Sequence, residues 1–171
     1  MEIKTLFGLP AHPLLVHVPI VLIPLVGLGA IVIAVSAQAR RRFGTLVLAG
    51  AAVAFVGTWL AVASGGPLEE SVKKTAALRE HVDLADKMRP LALVLLLAVL
   101  LLVALDRRVR SGHALPSLAT RGAAVVAVAA ALGVTGWLVA VGHNGAEATW
   151  QQTHIKSSDG DQGLGRSSIP R

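Results

Sequence analysis

The sequence predicts an all-α integral membrane protein, a four-helix up-down bundle with both termini on the outer, non-cytoplasmic face. Three observations predict it: four long runs almost free of charge, basic residues confined to alternate connections, and too few polar residues for a soluble surface. Of 171 residues, 54% are hydrophobic and 15% are charged, and mean hydropathy is +0.66. A soluble domain of this length needs far more polar surface. The chain has no cysteine. That excludes disulfides, thiolate metal sites, cysteine-held iron–sulfur clusters and covalently attached c-type haem. Histidine, present six times, is the one strong nitrogen ligand left.

Leu14–Val35, Phe43–Ala63 and Gly122–Gly142 each supply the ~20 apolar residues that cross a bilayer core. Leu91–Leu105 is shorter and takes its remaining length from Ala85–Pro90. The expected spans are therefore 14–35, 43–63, 85–105 and 122–142, within a helical domain over 1–150. The residues 151–171, rich in Gly, Ser and Asp towards the end, read as a disordered tail. Ser36-Ala37-Gln38-Ala39 resembles a signal-peptidase site, but the preceding apolar run is too long and Arg40–Arg42 follow it.

Orientation follows from the arginines. Arg40, Arg41 and Arg42 come after the first helix; Arg107, Arg108, Arg110 and Arg121 flank the connection after the third, against a single Asp106. The whole excess of +6 lies there. Those connections are expected to be cytoplasmic, in a multi-pass membrane protein. The arginines also account for the pI of about 10.8 through topology and lipid headgroups. No interleaved aromatics support nucleic-acid binding, which is excluded.

Small residues recur at Gly50, Ala54, Gly57, Ala61 and Ser64 in the second helix, and at Ala129, Gly133, Gly136 and Ala140 in the fourth. Such stripes serve helix packing in lipid or make room for a flat cofactor. His143 is next on the fourth-helix stripe, which is expected to turn its ring into the bundle.

Histidine depth can be counted from the arginines at ~1.5 Å per helical residue. His17 is 23 residues from Arg40 and His143 is 22 from Arg121, roughly 34 and 33 Å. His81, through "LREHVDLADKM", is 26 from Arg107, and His12 is 28 from Arg40, roughly 39 and 42 Å. Four histidines from three helices thus fall in a slab about 9 Å thick at the outer face. One interfacial histidine is ordinarily a hydrogen-bonded anchor. Four at one level point to a shared ligand site. His12 also reads as a mere helix start before Pro13. Pro19 and Pro24 release carbonyls at Leu15 and Ile20, placing irregular backbone beside His17.

The outer segment 69–88 is amphipathic, with Ala77, His81, Leu84 and Met88 at helical spacing, and is expected to roof the site. Met88 reads as an axial ligand or, more simply, a gap-filler. Glu80, Asp83 and Glu147 read as surface charges or as acceptors orienting imidazoles.

"HPLLVHVPI" (His12–Ile20), "EHVDLADKM" (Glu80–Met88) and "GHNGAEATW" (Gly142–Trp150) together resemble the signature stretches of a bacterial membrane-protein family catalogued as domain of unknown function 2231. Val18 stands where that pattern has an aromatic, and Ala146 where it has a second glycine. The resemblance implies a membrane redox setting with Rieske-type iron–sulfur domains nearby. With no cysteine here, any iron–sulfur partner is a separate protein.

The leading expectation is a non-covalent b-type haem protein passing electrons at the outer face, a subunit of a redox or respiratory membrane complex that need not be an enzyme by itself. His17 and His143 form the expected axial pair, with His81 and His12 holding a second haem or the propionates. The alternative is a cofactor-free accessory subunit docked on a larger complex. A third is bare zinc or copper on His17, His81, His143 and a carboxylate.

Overall fold

Prolines and a single serine punctuate what would otherwise be four uninterrupted helices. The computed structural model describes residues 5–6, 9–71, 74–114 and 116–164. Two-residue strands β1 (Thr5–Leu6) and β2 (Leu9–Pro10) pair antiparallel ahead of the helices. Then follow α1 (Ala11–Leu15), α2 (His17–Val35), α3 (Ala37–Ser71), α4 (Ala76–Asp86), α5 (Met88–Arg110) and α6 (Ser117–Leu164). Four helical stretches, Ala11–Val35, Ala37–Pro67, Ala76–Arg110 and Ser117–Trp150, are long and apolar enough to cross a membrane. The expected spans sit inside these. The last helix continues to Leu164, beyond the expected start of the tail, and residues 165–171 lie outside the described residues.

Each outer proline stands third in its helical segment: Pro13 in α1, Pro19 in α2, Pro90 in α5. A first-turn N–H has no partner within its own helix, so proline costs nothing there. The price is continuity. Pro19 cannot donate to Leu15, nor Pro90 to Asp86, and the helices break at Val16 and Lys87. The first span is therefore α1 plus α2 and the third is α4 plus α5. Of the two expected kink sites, Pro19 lies in the first turn of α2 and Pro24 in its interior.

α2 packs on α3 and α6, and α5 packs on the same two, so α2 and α5 barely meet. Contacts between α2 and α3 run in opposite directions: Val18 meets Gly57, Val26 meets Gly50, and Val47 meets Gly29. The core comprises Ile23, Val26, Ala30 and Ile33 of α2, Ala51 and Ala54 of α3, Leu95, Val99 and Leu102 of α5, and Ala127, Ala131 and Val134 of α6. Large apolar side chains such as Leu25, Leu28, Leu46 and Val139 point outward, as a bilayer solvent permits.

The stripe in α3 is a true seam: Ala54, Gly57, Ala61 and Ser64 are all buried. The α6 stripe is not. Ala129, Gly133 and Gly136 are exposed, and nothing lies within 4 Å of a Cβ built on either glycine. The inward face of α6 is Ala123, Ala127, Ala131 and Val134, because α2 approaches there, with Gly27 against Ala131 and Thr135. His143 goes outward with its stripe, contrary to the inward direction expected.

At the opposite end from the histidines, Ser36 alone joins α2 to α3 and caps α3 by accepting from the Ala39 N–H at 3.2 Å. Arg40 then turns inward. Its Nε donates to Asp106 Oδ1 at 3.0 Å, and its Nη1 donates to the Ile33 and Ala34 carbonyls at 2.6 and 3.2 Å, closing the end of α2. Arg110 Nε donates to Asp106 Oδ2 at 2.9 Å. Arg107 donates to Thr45 Oγ1 at 2.8 Å. One carboxylate thus binds the ends of α2, α3 and α5, with its side chain and that of Arg40 each about 10% exposed.

Removing that carboxylate leaves two cations facing each other. Asp106→Ala is expected to cost about 3 kcal/mol, measured as a lower unfolding midpoint in mixed detergent; a loss under about 1 kcal/mol would rank the cluster with surface pairs. Glycine substitutions should separate the two stripes. A Cβ on Gly57 runs into the branched Val18 side chain, so Gly57→Ala is expected to cost about 2 kcal/mol. Gly133→Ala meets open space and should gain up to about 1 kcal/mol of helix propensity.

Candidate functional site

The two helix breaks face each other across the end of the bundle opposite the arginine cluster. α1 packs on α3, and α4 packs on α6. Between them lies a cavity of about 740 Å³, bordered by His12 and Pro19 on one side and by His81, Met88 and Arg89 on the other. Its remaining wall is largely aliphatic, including Ile20, Val82 and Leu138. That is the volume and composition of a small-molecule pocket.

Both cavity histidines are fixed in the same way. His12 Nδ1 donates to the Ala61 carbonyl of α3 at 2.9 Å and lies 3.3 Å from Ser64 Oγ. His81 Nδ1 donates to the Val141 carbonyl of α6 at 3.0 Å. A proton committed at Nδ1 leaves the lone pair of a neutral imidazole on Nε2. Each ring also rests on a glycine. A Cβ on Gly65 would come within 3.4 Å of His12 Cε1, and one on Gly145 within 2.9 Å of His81 Cε1.

His17 and His143 do not join them. His17 is exposed, and its Nδ1 donates to the Pro13 carbonyl at 2.6 Å. It supplies a donor to the last turn of α1, whose terminal carbonyls lack intrahelical partners. Trp137 Nε1 does the same for α4, donating to the Leu84 carbonyl at 3.0 Å. His143 is exposed on α6. His113 sits in the connection after α5, 3.1 Å from Ser111 Oγ. The slab of four histidines therefore divides into two that line a cavity and two that face outward. Among the described residues, no group of three or more His, Cys, Asp or Glu side chains is arranged to hold a metal ion.

α4 lines the cavity with Leu78, His81, Val82 and Ala85; of the face expected to roof the site, His81 and Met88 line it, while Ala77 and Leu84 do not. Met88 is 3% exposed at its edge, the placement of a gap-filler. Glu80, Asp83 and Glu147 are exposed, and the groups orienting the cavity imidazoles are main-chain carbonyls instead.

Sequence reasoning overlooked Arg89. Its guanidinium lies 5.1 Å from the centroid of the Trp59 ring, and its Nη1 is 3.8 Å from Asp86 Oδ1. Its Nε is buried with no hydrogen-bond partner. On the same level Lys87 lies over Trp137 at 5.5 Å. Two tryptophans paired with cations are the mark of a membrane–water interface. The available signal was a basic residue directly before Pro90, in the first turn of α5.

A family model described as predicted membrane protein (DUF2231) matches residues 8–156. No curated protein and no solved structure matches the chain.

The glycine seat of His81 is testable without any ligand. Gly145→Ala should push the ring off the Val141 carbonyl and cost about 1 kcal/mol. In a double-mutant cycle with His81→Ala, measured by detergent unfolding, that cost should disappear when the ring is absent.

Proposed function

The chain belongs to the DUF2231 family of membrane proteins, and from that premise we propose that it is a non-covalent b-type haem protein, an electron-transfer subunit whose site is the outer cavity. His12 and His81 would hold the haem iron through Nε2. The observation that carries the reading is their shared state: both rings give Nδ1–H to a main-chain carbonyl and line one apolar cavity of about 740 Å³. Histidines that bind iron commonly use this arrangement, the hydrogen bond at one nitrogen orienting the ring and raising the basicity of the other. When bound, haem supplies a one-electron couple; the protein is not an enzyme by itself.

The chain's own residues do the rest. Ala61 and Val141 hold the tautomers, Gly65 and Gly145 allow the rings to lie against α3 and α6, and the aliphatic wall keeps water away. The arginine cluster around Asp106 lies at the other end of the helices. This favours an up-and-down bundle in a bacterial inner membrane, with the cavity and both termini outward. An electron partner, such as an iron–sulfur protein, would dock at that outer end.

One observation favours a cofactor-free accessory subunit: the same histidine bonds tether α1 to α3 and α4 to α6, which a purely structural role also requires. A reduced-minus-oxidised visible spectrum of protein purified in mild detergent decides between them. The haem reading expects sharp b-type bands, restored in stripped protein by added haemin. His12→Ala and His81→Ala should each weaken haem retention about a hundredfold, at least the loss seen when a ligand's orienting partner goes. His17→Ala and His143→Ala should keep it. A preparation that stays colourless after haemin would leave the accessory role.

A further inference from the structure

The cavity carries a feature that axial ligation does not use. Arg89 lines it, and its side chain, 35% exposed, has few protein partners. Asp86 is a partner at only 3.8 Å, and its side chain is 61% exposed. Trp59 offers the face of its ring, which attracts the cation but accepts no bond in the guanidinium plane. The Nε–H remains buried without an acceptor. At the edge of a hydrocarbon core an unmet charged donor is costly, and such residues mark ligand contacts.

We propose that the cavity binds an amphiphile with an apolar body and a carboxylate, and that Arg89 receives the carboxylate. The planar guanidinium fork matches a carboxylate through two parallel N–H bonds. The apolar body lies along Ile20, Val82 and Leu138, and the carboxylate comes to the interfacial rim. Acidic groups border the same cavity, but each has a cation of its own. Glu69 lies 3.8 Å from Lys74, and Asp86 has Arg89 itself, so a bound carboxylate displaces a weak, exposed contact. Haem, through its propionates, and a free fatty acid both have this chemistry. The proposal does not require the haem reading.

The test compares each acid with its ester on protein in zwitterionic nanodiscs. The probes are haemin against haemin dimethyl ester, and a doxyl-labelled stearic acid against its methyl ester. Quenching of tryptophan fluorescence reads binding, since Trp59 and Trp137 stand at the cavity end. At least one acid should bind about tenfold or more tighter than its ester. Arg89→Gln should abolish that preference and Arg89→Lys should restore part of it. Preference in the haemin pair alone identifies the propionates; in the stearate pair alone, a lipid-derived acid. Binding of haemin and its diester with equal affinity, without preference in the stearates, would overturn the carboxylate assignment while leaving the haem reading intact. No binding of any probe, or a preference that survives Arg89→Gln, overturns it too. Should Arg89→Gln fail to fold, the acid–ester comparison on the unaltered protein still decides.

Discussion

A proline has no N–H to give to the carbonyl four residues back, and in this chain the missing bond falls at two places that shape the whole outer end. Pro19 separates α1 from α2, and Pro90 separates α4 from α5. Each break releases a short helix bearing one histidine, and each short helix leans on a different neighbour, α1 on α3 and α4 on α6. The cavity is the space between them. In hydrocarbon such breaks survive only where other groups satisfy the freed backbone. Here ring N–H groups serve other carbonyls in the last turns of the two short helices, His17 that of Pro13 and Trp137 that of Leu84. The histidine with the most ligand-like sequence setting thus has a structural task, and the one resembling a helix start faces the cavity.

The opposite end is held by charge. Asp106 collects Arg40 and Arg110, and Arg40 also closes the last carbonyls of α2. A rigid inner end is compatible with an outer end built from short, separately anchored helices. Trp59, Trp137, Lys87 and Arg89 bring aromatic faces and cations together at that end, a pairing common where proteins meet a membrane surface.

Much of this was legible in the residues. Charge-free runs and one-sided arginines fixed the number and class of the helices, because a bilayer leaves few alternatives. Residue counting brought His12, His17, His81 and His143 to one level. Counting gives height along a helix but not rotation about it. For α6 the rotation was misjudged, since Ala129–Gly133–Gly136 and Ala123–Ala127–Ala131 are both small-residue stripes. In water the more apolar stripe would turn inward. In lipid both faces are apolar, and contact with α2 decides.

What the sequence alone determined, then, is composition along the membrane normal: four apolar spans, a basic end, a histidine-rich end, and prolines where helices stop. Those follow from local chemistry and the length of the chain. The tertiary structure decided everything lateral. It paired Arg40 with Asp106 across 66 positions of sequence, seated His81 on Gly145, drew His12 to Ala61, and left Arg89 at the rim with a donor unmet. Each of these depends on which helix faces are opposed, and in a solvent as apolar as the core only close packing and satisfied hydrogen bonds make that choice.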